Sequence, residues 1–144
     1  VKEAEELAYA AHNLQERRGG EPYIEHPKRI VERLEKTFRG EISDERLDLI
    51  LATAWLHDSI EDSWVTKEFL EDNGFDWLVI DAVVRLTHNK KLHEAYVDYI
   101  RRVAQDRIAT IVKTFDIVDN LSDNPSDRQI EKYGLALSIL NNHL

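Results

Sequence analysis

The sequence predicts an all-α fold, a compact helical bundle, on two observations. Apolar residues recur at helical spacing almost throughout, and no run alternates β-branched and polar residues for the length of a strand. Chain breakers are scarce, with five glycines and three prolines in 144 residues. At this length and 42% hydrophobic, the chain can fill one core but not two, so one domain over residues 1–144 and one site are expected.

Each element has a local reason. The first helix is expected from Lys2 to Arg17, with Ala4, Leu7, Ala8, Ala11 and Leu14 on one face, stopping at Gly19-Gly20 where a left-handed turn is cheap. The second starts at Pro27, whose fixed φ suits a first helical position, and buries Ile30, Val31 and Leu34. Ser43 reads as an N-cap with Asp44 and Glu45 in the first turn of a strongly apolar helix. That helix runs through Leu47, Ile50, Leu51, Ala54 and Trp55 to about Asp62 and is the expected centre of the fold. Thr66 to Asn73 reads as a short helix closed by Gly74, and Asp76 caps another through Val83 to Leu86. After a loop around Thr87 to Leu92 come helices over His93–Gln105 and Ile108–Ser122. The last follows a capping box at Ser126 and Gln129, with Tyr133, Leu137 and Leu140 inward.

Composition narrows the chemistry. Without cysteine there are no disulfides, thiol nucleophiles or iron–sulfur clusters, and any metal must be held by imidazole and carboxylate. No apolar run approaches the roughly 20 residues of a membrane span, and the first residues lack the order of a signal peptide, so a cytoplasmic location and no membrane partner are expected. Against 28 acidic residues stand 19 basic ones, a net charge of −9 that argues against nucleic acid as partner. A small phosphorylated ligand needs only local positive charge.

Three polar clusters interrupt the apolar pattern. His57-Asp58 and Glu61-Asp62 lie one helical turn apart in an otherwise hydrophobic helix, so four titratable groups crowd one surface. A divalent cation would compensate them; a solvated helix end with a chance His-Asp pair is the alternative. In the second, Arg17-Arg18-Gly19-Gly20-Glu21-Pro22-Tyr23-Ile24-Glu25-His26-Pro27, a basic pair ends one helix and His26 opens the next, at the end that favours anions. Here the alternative is a capping histidine beside arginines at a favourable C-terminus. The third sets Lys113, Asp116 and Asn120 along one edge of a stripe made by Ile108, Ile111, Val112, Phe115 and Val118. Asp119 falls inside the stripe and needs a partner, whether in a site or in a plain salt bridge.

Together these segments resemble the hydrolase domain of the Rel/Spo alarmone enzymes and their small single-domain relatives, within the HD superfamily. The resemblance rests on Ala10-Ala11-His12 then Gln15, the GEPYI-x-HP segment ending at Pro27, the HD-x-x-ED segment from His57 to Asp62, and Val112-Lys113 followed by Asp116 and Asn120. The segment from His93 to Ile100 also looks like the helix before the last metal ligand in the small relatives. The resemblance implies that His26, His57, Asp58 and Asp116 bind a metal, usually manganese. It further implies that Glu61 and Asp62 activate or orient the attacking water, that Arg17 and Arg18 meet the substrate, and that Lys113 and Asn120 support the nucleotide or pyrophosphate. Tyr96 is a weaker carry-over as a substrate contact; Tyr99 reads as core packing and His12 as structural. The implied reaction is hydrolysis of the 3′-pyrophosphate of guanosine tetra- or pentaphosphate, releasing pyrophosphate.

The match departs from the family at one place. Where the family usually continues Asp-Arg-Leu-His-Asn, this chain reads Asp116-Ile117-Val118-Asp119-Asn120. The first alternative is therefore an HD phosphohydrolase acting on another nucleotide or a dinucleotide phosphate. The second is a non-catalytic helical domain that binds a nucleotide or a protein.

Overall fold

In the computed structural model, which describes residues 1–17 and 19–142, the chain is helical, with no β-strand among the described residues. The helices are α1 (Lys2–Ala11), α2 (Glu25–Phe38), α3 (Asp44–Leu56), α4 (Ser59–Asp62), α5 (Lys67–Asp72), α6 (Trp77–Leu86), α7 (Tyr96–Val103), α8 (Arg107–Leu121) and α9 (Asp127–Asn141), with a 3-10 turn at Lys90–Leu92. Among the described residues extended pairing is limited to the isolated bridges Glu16 to Pro22 and Arg39 to Ile42.

Helix α3 is the centre the sequence predicted. Every residue from 50 to 56 is buried, and a helix apolar all round can be stable only when wrapped. Helices α1, α2, α6 and α8 do the wrapping, and α8 packs in turn against α7 and α9. Four of the predicted starts hold. Ser43 accepts from the Arg46 N–H at 3.2 Å, Thr66 from Phe69 at 3.0 Å and Asp76 from Leu78 at 2.8 Å, and Ser126 with Gln129 forms the full capping box. Among the described residues no helix is long and apolar enough to cross a membrane.

Four boundaries differ from the sequence expectation, each for a tertiary reason. Helix α1 stops at Ala11 rather than Arg17, and Leu14 takes φ 67° and lies in solvent. The following segment folds back instead: Tyr23 N–H donates to the Gln15 carbonyl at 2.8 Å, and the Gln15 side chain reaches the Asp62 carbonyl at 2.8 Å. Helix α2 begins at Glu25, so Pro27 sits third, still within the first turn where no N–H is needed. The third helix breaks at His57-Asp58 rather than running to Asp62. There the His57 ring donates to the Ala54 carbonyl at 2.7 Å and the Ser59 hydroxyl to that of Leu56 at 2.7 Å, capturing carbonyls the helix leaves open. Helix α7 starts at Tyr96 because His93 is left-handed at φ 56°, and Glu94 is held by Arg102.

Helix α8 also presents a different face. Val118, placed in the apolar stripe by its sequence position, is 46% exposed, while Asp116 and Asp119 are 3% and 0% exposed. The buried face is the one that carries the polar residues.

Candidate metal centre and cleft

Four donor atoms converge where α2, the break after α3, and α8 meet. His26, His57 and Asp58 each offer one ligand atom, all within 4.8 Å of one another. Asp116 Oδ1 lies 2.8 Å from His26 Nε2 and 3.4 Å from His57 Nε2. The break at His57-Asp58 matters here, since Asp58 at the start of α4 sets Oδ2 3.1 Å from His57 Nε2. The Tyr23 hydroxyl donates a short hydrogen bond to the same Asp58 oxygen.

The outer nitrogen of each imidazole has its own partner. His26 Nδ1 faces Asp119 Oδ2 at 2.6 Å and His57 Nδ1 faces the Ala54 carbonyl at 2.7 Å. Both partners only accept, so each Nδ1 carries a proton and a neutral ring turns its Nε2 lone pair inward. Two lone pairs then face two carboxylates in a buried space, an arrangement that needs either extra protons or a cation. Burial pulls the His57 pKa down, yet Asp58 and Asp116 outweigh it and hold it well above the usual imidazole range; His26 is raised against the same burial by Asp116 and Asp119. His57 Nε2 is buried without a hydrogen-bond partner. Two imidazoles and two carboxylates around such an atom fit a divalent cation.

The rest of α8 is fixed around this centre. Lys113 Nζ donates to Asp116 Oδ2 at 2.9 Å, and Asn120 Nδ2 donates to Oδ1 at 3.3 Å. Burial alone would raise the Asp116 pKa, but the charges of Lys113 and His57 hold the carboxylate far below its ordinary value. Arg17 joins Asp119 at 3.1 Å and the Asn120 side-chain oxygen at 2.8 Å.

These groups open on a cleft of about 220 Å³. Of the residues singled out in the sequence, Arg17, His26, Asp58, Glu61, Asp62, Tyr96, Lys113, Asp116 and Asn120 line it, with His57 buried behind. Arg18 lies outside the described residues. Glu61 Oε1 accepts from the His88 N–H at 2.8 Å and Oε2 pairs with Lys90 at 3.3 Å, tying α4 to the loop after α6. Tyr99 is buried, its hydroxyl donating to the Leu86 carbonyl at 2.6 Å, but its ring also lines the cleft, while His12 packs on Tyr23 beside Gln15.

Several cleft residues were not placed there by the sequence. Lys132 reaches it from α9 beside Tyr133, which the sequence expected only to point inward, and His88 and Lys90 come from the loop. Lys132 lies 4.3 Å from the Tyr96 ring centroid, and its pKa is lowered by burial and then by neighbouring Lys113 and Lys90, so it is a cation crowded by cations. No sequence pattern marks it. Arg29 and Arg33, which meet Asp119 at 2.9 and 3.3 Å, follow His26 at three and seven positions on one face of α2, a spacing that could have exposed them.

Fold and site together define an all-helical domain with a His/Asp centre under a cleft lined by both cations and carboxylates. In sequence and in fold the chain resembles the HD-type hydrolase domain of the Rel/Spo enzymes. A guanosine-3′,5′-bis(diphosphate) 3′-pyrophosphohydrolase of Vibrio cholerae is 34% identical over 93% of this chain. One of the same name from Aquifex aeolicus is 26% identical over 84%, and a probable GTP pyrophosphokinase of Mycobacterium leprae is 28% identical over 97%. The chain spans only 17% to 19% of the length of these three relatives. A solved structure described as a metazoan ortholog of SpoT that hydrolyzes ppGpp superposes with a TM-score of 0.75, covering 99% of this chain and 83% of that one at 24% identity, which establishes the shared fold. No family model matches the chain.

Proposed function

We propose that residues 1–144 form a metal-dependent phosphohydrolase domain that removes the 3′-pyrophosphate of guanosine tetra- or pentaphosphate. The observation that carries the metal reading is the buried His57 Nε2, which makes no hydrogen bond yet lies 3.1 Å from Asp58 and 3.4 Å from Asp116, beside a cleft whose cations are Arg17, Lys90, Lys113 and Lys132. The substrate reading is supported by the names of the Vibrio and Aquifex relatives. His26, His57, Asp58 and Asp116 would hold the ion, with manganese the choice favoured by the family resemblance and the cytoplasm the compartment. When bound, such an ion supplies charge that stabilises phosphoryl oxygens and makes water a better nucleophile near neutral pH.

The chain's own groups account for the remaining steps. Arg17, Lys90, Lys113 and Lys132 neutralise the diphosphates, and Tyr96 offers an aromatic face beside them. Water adds to the phosphorus of the 3′-diphosphate, the bond to the ribose 3′-oxygen breaks, pyrophosphate leaves and the 3′-oxygen takes a proton. Glu61 and Asp62 orient the water and receive its proton. Asp62 is suited to receiving it, because partial shelter from water, then the charges of Asp58 and Glu61, raise its pKa to about 6. Below that value it is protonated and cannot act as a base. In the metal-free protein the Asp62 carboxyl is expected to titrate near 6 by 13C NMR and to move lower when magnesium is added, because a cation at Asp58 offsets one of the raising charges. An ordinary carboxylate midpoint unmoved by magnesium would remove Asp62 from this role.

The direct test is pyrophosphate release from guanosine 3′,5′-bis(diphosphate), with and without manganese, beside ordinary nucleotides and a nicotinamide dinucleotide phosphate. Manganese-dependent release from the alarmone alone is the expected result. Activity only on another member of the panel would support the second reading, an HD phosphohydrolase of different specificity, which Ile117 and Asp119 in place of the family's arginine and histidine favour.

A further inference from the structure

Asp119 is buried completely and is the only carboxylate among the described residues that touches both the candidate metal centre and a cleft arginine through one oxygen. Its Oδ2 faces His26 Nδ1 at 2.6 Å and also accepts from Arg17 at 3.1 Å and Arg29 at 3.1 Å. Oδ1 accepts from Arg29 Nε at 2.9 Å and lies 3.3 Å from Arg33. Three guanidinium groups surround this one fully buried carboxylate and serve as its counter-charges, more positive charge than a single salt bridge needs. An ionised carboxylate at Nδ1 fixes the imidazole tautomer and strengthens the opposite nitrogen as a ligand.

We infer that Asp119 is a positioning residue: it locks His26 with a proton on Nδ1 and a lone pair on Nε2 aimed at the ion, and with the same oxygen holds Arg17 at the cleft. The inference rests on the metal-centre reading above. Nothing in the sequence pattern assigns the role, and the position departs from the family's usual histidine. Arg29 and Arg33 bracket the buried carboxylate from α2, and Glu21, bonded to Arg29, closes the set at the surface.

The test uses the whole chain labelled with 15N-histidine, with zinc as a diamagnetic probe. In the wild type with zinc, His26 is expected to keep a strongly downfield Nδ1 proton, assigned by its loss in His26→Asn, while Nε2 loses its proton. In Asp119→Asn the downfield proton should disappear and zinc and manganese affinity should fall by about 10- to 100-fold. Should Asp119→Asn fail to fold, the wild-type spectrum decides alone: a deprotonated Nδ1, or Nε2 still protonated with zinc bound, overturns the inference. An Asp119→Asn protein that folds and binds both ions as the wild type does overturns it too, leaving the centre itself standing. Failure of the wild type to bind either ion would instead overturn the metal-centre reading, and this inference with it.

Discussion

Asp58→Ala is expected to bring divalent-ion binding and turnover below detection, while Glu61→Gln keeps the ion and loses about 100-fold or more of the rate. The two side chains lie on the same short stretch but face different partners. Asp58 Oδ2 is 3.1 Å from His57 Nε2 and accepts from Tyr23, so its removal takes away one of four donors and leaves a buried imidazole without its nearest charge. Glu61 touches none of the four; its oxygens meet the His88 N–H and Lys90. Calorimetric titration with manganese and a steady-state rate on both proteins make the comparison. Equal loss of ion binding in the two variants, or full activity in Asp58→Ala, would sink the assignment of the centre. The ion should also bind more weakly as pH falls, since the inward nitrogens of His26 and His57 take up protons in its absence.

The second large effect is on stability. Asp116→Ala leaves the Lys113 ammonium, whose side chain is 12% exposed, without the carboxylate 2.9 Å away, and breaking a buried pair at one end costs about 3–5 kcal/mol. The Tyr99 ring, 5.3 Å from Lys113 Nζ, offers only partial compensation. The double variant Asp116→Ala with Lys113→Met should recover much of that loss in urea denaturation, because no charge is then stranded, yet it should not recover ion binding. If single and double variants unfold at the same urea concentration, the Lys113 to Asp116 pair does not carry the stability assigned to it.

Much of the site was legible because its residues violate the pattern around them. His57 and Asp58 end a strongly apolar, buried helix, and His26 opens a helix behind a run that helical periodicity does not explain. Local rules also gave the caps at Ser43, Thr66, Asp76 and Ser126, since a hydroxyl or carboxylate three or fewer residues from the N–H it accepts needs no tertiary information. Val118 shows where periodicity misled. It completes an apolar stripe in sequence, but α8 turns its buried face toward α2 and α3, where Asp116 and Asp119 find cations and imidazoles that Val118 could not use.

By itself, then, the sequence determined the helical class and the order of the elements, because these follow from spacing along the chain, while His26, His57, Asp58 and Asp116 were named by the family resemblance. The tertiary structure alone decided that α1 ends at Ala11, that the central helix breaks between His57 and Asp58, that Asp119 stands behind His26, and that Lys132 reaches the cleft from α9. Each of these depends on partners distant in sequence, such as Gln15 with Asp62 or Arg17 with Asp119, whose attraction exceeds the small local preferences of the backbone and has no trace in any single stretch of residues.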